Sequence, residues 1–124
     1  GGGGEVAPGP VVFWGRLSYS DARARARDSS RLVMVFATAD WCGPCQSLKR
    51  GALSDPRVET LIQENLEPVY LDVDERENQD LARRLGVSGI PATYIVRDDE
   101  VIAKSTGALP ADSYYTWLKG AVGR

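Results

Sequence analysis

Residues 31–51 read RLVMVFATADWCGPCQSLKRG. Their first seven residues form a short apolar run, rich in β-formers and bounded by polar residues, which predicts a buried central strand. Residues 42–51 predict a helix, with Pro44 in its first turn, where a missing N–H costs nothing. Between strand and helix stands Trp41-Cys42-Gly43-Pro44-Cys45. With the helix starting at Cys42, the unpaired N–H groups of its first turn point at the Cys42 sulfur. They favour the thiolate and bring its pKa below the ordinary value of about 8.5. Cys45 lies one turn further in on the same face, near enough to bond Cys42 and more shielded. Cys42 is therefore expected to attack and Cys45 to resolve the mixed disulfide. Gly43 allows the tight turn. Pro44 stiffens the helix entry and removes a donor that would stabilise the thiolate, which makes the dithiol a better reductant.

Composition narrows the chemistry further. The chain has 124 residues, 43% hydrophobic and 26% charged, the make-up of one globular domain with a real core. Histidine is absent, which removes every mechanism that needs an imidazole base. Cys42 and Cys45 are the only cysteines. They close almost no loop, so they are no structural staple, and no further Cys or His completes a four-ligand zinc site. No metal and no cofactor is expected, and two cysteines three apart point to redox chemistry. A net charge of −2 argues against a nucleic-acid partner held by bulk charge. No run of about 18 apolar residues predicts membrane insertion, and the first residues lack the charged-then-apolar pattern of a signal peptide.

Residues 1–10, GGGGEVAPGP, are Gly/Pro-rich and without periodicity. They read as a disordered tail, either a cloning remnant or a natural linker after a removed signal or anchor. One domain is expected over residues 11–124, opening with an edge strand at 11–14. A helix follows at 18–28, with Ser18 and Asp21 in a capping pattern. Beyond the 31–51 unit, a helix opens at Ser54-Asp55-Pro56 and runs to about Leu66. A strand is expected at 67–73, then a short helix capped by Asn78 and closed by Gly86. Strands at 92–96 and 101–105 form a hairpin across Arg97-Asp98-Asp99-Glu100. The last helix spans 112–122, with Tyr114, Trp117, Leu118, Ala121 and Val122 on its apolar face. Strands alternating with helices and then a hairpin predict an α/β fold. Its central mixed sheet has four to five strands, flanked by helices on both faces.

WCGPC resembles the active-site motif of the thioredoxin family. Two further segments agree in order. Gly86-Val87-Ser88-Gly89-Ile90-Pro91-Ala92-Thr93 is similar to the family's cis-proline loop, and Gly107-Ala108-Leu109 to its substrate-facing glycine segment. The resemblance runs from about Val11 to the C-terminus and implies a thioredoxin fold with thiol-disulfide oxidoreductase activity. It implies a cis bond before Pro91, with the Ile90 N–H and C=O free to pair with an extended substrate segment. Gly107 would leave room for a partner backbone. Trp41, Ile90 and Ala108 would form a small apolar contact patch, with Trp41 covering the disulfide.

Departures from the family pattern matter too. Thioredoxins usually carry a buried aspartate five residues before the motif's tryptophan, where this chain has Phe36, and many have a lysine where it has Tyr70. Without that carboxylate, Asp40 is the acid closest in sequence and a candidate aid to proton transfer. Trp14, the alanine-rich helix, TADWCGPC and Leu53-Ser54-Asp55-Pro56-Arg57-Val58 are similar to thioredoxin-like domains of bacterial envelope proteins, including those of transmembrane thiol-disulfide interchange proteins. The resemblance thus implies an extracytoplasmic location, with the cytoplasm as the alternative. It also implies a monomer that exchanges electrons with disulfide-containing proteins and an external thiol or dithiol donor. The arginines at 23, 25, 27 and 31 read as a solvated helix face. Residues 72–77, DVDERE, fail as a calcium loop, with Arg76 fifth and Glu77 sixth where glycine is needed.

Overall fold

A computed structural model describes residues 9–123. It has four strands, β1 (Leu32–Thr38), β2 (Leu66–Asp72), β3 (Ala92–Arg97) and β4 (Glu100–Thr106). Five α-helices accompany them: α1 (Tyr19–Ser29), α2 (Gly43–Arg50), α3 (Pro56–Asn65), α4 (Gln79–Leu85) and α5 (Ala111–Val122). The sheet order is β2-β1-β3-β4. β1 runs parallel to β2 and antiparallel to β3, and β3 and β4 form an antiparallel hairpin. The mixed sheet with helices on both faces agrees with the expected architecture.

β1 is buried almost along its whole length because both of its faces are covered. Met34 and Phe36 point into one core with Leu48, Leu53, Val58, Ile62, Ile95, Tyr114 and Leu118, beneath α2, α3 and α5. Val33, Val35 and Ala37 point into the other, with Ala22, Ala26, Val69, Leu71, Leu81 and Tyr94, beneath α1 and α4. Alternation along the strand thus distributes an apparently uniform apolar run between two layers. Tyr114 is buried and its phenol lies 2.8 Å from the Thr93 hydroxyl, so the ring's polar tip is satisfied inside the first core. Burial pushes that phenol up, and it stays protonated.

Local chemistry sets the element ends. Ser18 Oγ accepts from the Asp21 N–H at 3.0 Å, the cap that the sequence predicts for α1. Asp55 accepts from the Arg57 N–H at 2.8 Å and caps α3. The Arg57 side chain, bonded to the same carboxyl, holds it below the usual carboxylate range. Gly86 closes α4 in the left-handed region at φ 72°. Asp98 and Asp99 both have positive φ, giving a two-residue hairpin turn whose twist suits the flanking strands. The Asp99 carboxylate then accepts from Tyr19 Oη at 2.7 Å and Arg23 at 2.8 Å, fastening the hairpin to α1.

Two expectations need correction. Residues 11–14 form no edge strand: Val11–Phe13 is a 3₁₀ turn, closed by Phe13 N–H to Pro10 O and Trp14 N–H to Val11 O, both 3.0 Å. Turning the chain inward there buries Phe13 against Phe36 and Tyr70, at ring distances of 5.6 and 5.4 Å. Asn78 stands at the N-cap position of α4, but its side chain makes no capping hydrogen bond. Its amide instead donates to Asp72 O at 2.9 Å and Glu75 Oε1 at 3.3 Å, tying down the turn that leads into the helix. Of the tail expected over residues 1–10, residues 1–8 lie outside the described residues. Pro10 is buried, and Gly9 O accepts from the Trp14 indole at 3.0 Å.

Candidate active site

β1 ends at Thr38, and the chain reaches α2 through Ala39, Asp40 and Trp41. Cys42 is the N-cap residue, with extended backbone at φ −88° and ψ 107°, and Gly43 and Pro44 open the helix. Cys42 and Cys45 are joined as a disulfide, with Cα atoms 5.2 Å apart. The Cys42 sulfur accepts from the Cys45 N–H at 3.2 Å. A first-turn donor is therefore aimed at this sulfur, where it favours negative charge once the bond is opened. Cys45 is wholly buried and Cys42 is 4% exposed. Ala39, Val73 and Ile90 pack against the pair.

The loop before β3 faces the disulfide. The Ile90–Pro91 peptide bond is cis, and Ile90 O lies 3.9 Å from Cys42 Sγ. Gly107, just beyond β4, donates its N–H to Pro91 O at 2.9 Å and has φ 90°, a conformation that favours glycine. Gly107 thus lies directly beside the proline loop. Trp41 is 70% exposed and sits at one wall of a groove of about 310 Å³. Val73, Ala82, Val87 and Ile90 share that groove, with Arg83 among its polar neighbours. Of the residues expected in an apolar contact patch, Trp41 and Ile90 both line this groove, while Ala108 is exposed beside Gly107 and is not among its walls.

Asp40 is exposed, and among the described residues no hydrogen bond joins its carboxylate to either cysteine. Its main-chain carbonyl accepts from Gln46 Nε2 at 3.3 Å. Phe36 fills the place predicted for it, fully buried and edge-on to Tyr70 at 6.0 Å. Two further side chains near this end of the fold escaped the sequence reading. Asp74 accepts from the Trp41 indole at 2.7 Å and fixes how the exposed ring lies. Its only sequence signal was the acidic run that fails as a calcium loop. Lys49 is buried, one helical turn past Cys45, and donates to the Tyr70 phenol at 2.5 Å. Among the described residues, no group of three or more His, Cys, Asp or Glu side chains is placed to hold a metal ion. No helix among them is long and apolar enough to cross a membrane.

A CxxC disulfide at a helix N-terminus, facing a cis-proline loop on this fold, defines a thiol-disulfide oxidoreductase domain. Residues 14–97 match the family model described as Thioredoxin-like, and the chain belongs to that family. It is 35% identical over 100 residues to the thioredoxin of Bacillus subtilis, a match covering 78% of this chain and 88% of that protein. It is likewise 35% identical over 101 residues to the TPR repeat-containing thioredoxin TDX of Oryza sativa subsp. japonica. There the match covers 81% of this chain but only 30% of the rice protein. Among solved structures, a thioredoxin from Thermus thermophilus is similar with a TM-score of 0.74 and 30% identity, covering 82% of each chain. Two others share the fold at lower identity. DsbH oxidoreductase has a TM-score of 0.78 at 19% identity, covering 87% of this chain and 83% of its own. The C-terminal domain of DsbD from Neisseria meningitidis, in its oxidised form, has 0.68 at 22% identity, covering 82% and 90%.

Proposed function

We propose that this domain, over residues 11–124, reduces disulfide bonds in other proteins, acting as a monomer and recharged by an external thiol or dithiol donor. The Cys42 thiolate attacks a substrate sulfur and forms a mixed disulfide. Cys45 then attacks the Cys42 sulfur, the substrate leaves as a thiol, and the Cys42–Cys45 bond remains. The observation that carries this reading is the asymmetry of the pair. Cys42 caps α2 and receives a first-turn N–H, whereas Cys45 is fully enclosed. Gly43-Pro44 supports the reducing direction, since Pro44 withholds a donor from the thiolate and so favours the oxidised form of the pair.

Trp41, Ile90, Gly107 and Ala108 are the proposed substrate contacts, with Pro91 as support for the site. An extended substrate segment would lie along Ile90, whose carbonyl is near Cys42, and place its apolar side chains in the Trp41 groove. Asp40, exposed and next to Trp41, is proposed as an aid to proton transfer through water. We place the protein outside the bacterial cytoplasm, a reading supported by the sequence pattern around Trp14, TADWCGPC and Leu53-Ser54-Asp55-Pro56.

Replacing the resolving thiol tests the order of attack. Reduced Cys45→Ser, mixed with a disulfide-bonded protein, should accumulate a mixed disulfide at Cys42 that survives non-reducing electrophoresis. The reciprocal variant, Cys42→Ser, should trap nothing. Trapping through Cys45 in that variant would reverse the assigned roles.

A further inference from the structure

Lys49 is the one lysine among the described residues that is buried, at 8% exposure. It shares the inward face of α2 with Cys45, four residues earlier and wholly buried. Side chains at i and i+4 on a helix stand about 5–6 Å apart at Cβ, and the later one leans toward the helix N-terminus. Lys49 and Cys45 therefore leave the buried side of α2 from adjacent turns. Its ammonium donates to Tyr70 Oη at 2.5 Å and stands 5.0 Å from the centre of that ring. The Arg16 guanidinium lies over the same ring at 4.2 Å, and Phe13 and Phe36 pack edge-on around it. Tyr70 therefore anchors one cation and is itself fixed by an aromatic cluster. Among the described residues, neither Lys49 nor Arg16 has a carboxylate in ion-pair contact.

Cys45 has a chemical problem that this arrangement answers. It is wholly buried, in a small apolar cluster with Ala39 and Cys42 against which Val73 and Ile90 pack. A thiol enclosed in apolar surroundings resists ionisation, yet resolution requires the Cys45 thiolate. Asp40, the acid closest in sequence, is exposed, and Asp74, brought in by the fold, is engaged by the Trp41 indole.

We propose that Lys49, anchored on Tyr70, supplies the positive charge that favours ionisation of the resolving thiol Cys45. It is a positioning residue, acting through its field and touching no reacting atom. In the step it assists, the Cys45 thiolate attacks the Cys42 sulfur of the mixed disulfide. The Cys42–Cys45 bond forms and the bond to the substrate sulfur breaks. The substrate sulfur leaves with the electron pair and takes up a proton, so the proton lost by Cys45 is balanced. This inference rests on Cys42 being the attacking thiol.

Dithionitrobenzoate separates the steps. Reduced protein releases one thionitrobenzoate when Cys42 attacks and a second when Cys45 resolves, and stopped-flow absorbance follows both across pH. In Lys49→Met the pH midpoint of the second phase should rise by about one unit, the shift expected on losing a nearby opposite charge. Below the midpoint the thiolate population then falls about tenfold while its nucleophilicity recovers about threefold, so resolution slows about threefold. Lys49→Arg should restore the parent profile, and the first phase should be unchanged in both. Should Lys49→Met not fold by circular dichroism, Tyr70→Phe removes the anchor with a smaller perturbation and should raise the same midpoint. An unmoved midpoint in the folded variant overturns the role of Lys49. Absence of the Cys42 phase in the parent protein overturns the underlying reading instead.

Discussion

Cys42→Ser should lower disulfide reductase activity by about 10³-fold or more while leaving the fold intact, since removing a nucleophile forfeits the covalent route altogether. A serine hydroxyl at the N-cap of α2 accepts the same first-turn N–H as the sulfur does, so the helix loses little. The lost disulfide spans only three residues in sequence and closes too short a loop to matter for stability. Cys45 cannot take over, because it is fully enclosed beneath Ala39, Val73 and Ile90. Reduction of a disulfide-bonded protein by dithiothreitol, with and without catalytic amounts of each variant, measures the effect. Retention of a tenth or more of the parent rate would remove Cys42 from its role and favour a binding module in which the cysteines are incidental.

Phe36→Ala should cost about 3–5 kcal/mol of stability, the range for truncating a fully buried aromatic ring. Phe36 is completely enclosed, stacks on Phe13 at 5.6 Å and meets Tyr70 edge-on at 6.0 Å. Its loss would open a cavity beneath α2 and loosen the turn at Val11–Phe13, which depends on the same contacts. Folded domains hold only about 5–15 kcal/mol in total, so the variant should unfold at much lower urea concentration. A cost below about 1 kcal/mol would mean that the aromatic cluster is not part of the cooperative core.

What the sequence made legible was local or periodic. The strand–WCGPC–helix unit could be read directly, because an apolar run, a proline in the first turn and two cysteines one turn apart each have a local cause. The hairpin was equally readable from Asp98 and Asp99, which tolerate the positive φ that its turn demands. The failures are places where a distant partner decides. Val11–Phe13 has strand-forming residues, yet it coils into a 3₁₀ turn because burial of Phe13 against Phe36 and Tyr70 outweighs local preference. Asn78 takes the N-cap position expected of it, but its side chain makes no capping bond, and its amide donates to carbonyl and carboxylate oxygens of the preceding turn. Asp74 meets Trp41 across 33 residues. No spacing rule announces such a pair. Lys49 is hardest of all, since a lysine reads as surface until Tyr70 is seen to receive its ammonium.

The reduction potential of the Cys42–Cys45 pair, measured by equilibration with a thiol redox buffer, bears most directly on whether this domain is a reductant. For a two-electron couple about 30 mV corresponds to a tenfold change in equilibrium constant, so neighbouring redox classes separate clearly. The Gly43-Pro44 pairing and the half-supplied N-cap of Cys42 predict a value near about −270 mV, in the range of thioredoxin itself. A value of about −120 to −180 mV would place the pair with disulfide donors and isomerases and contradict the assigned direction of electron flow.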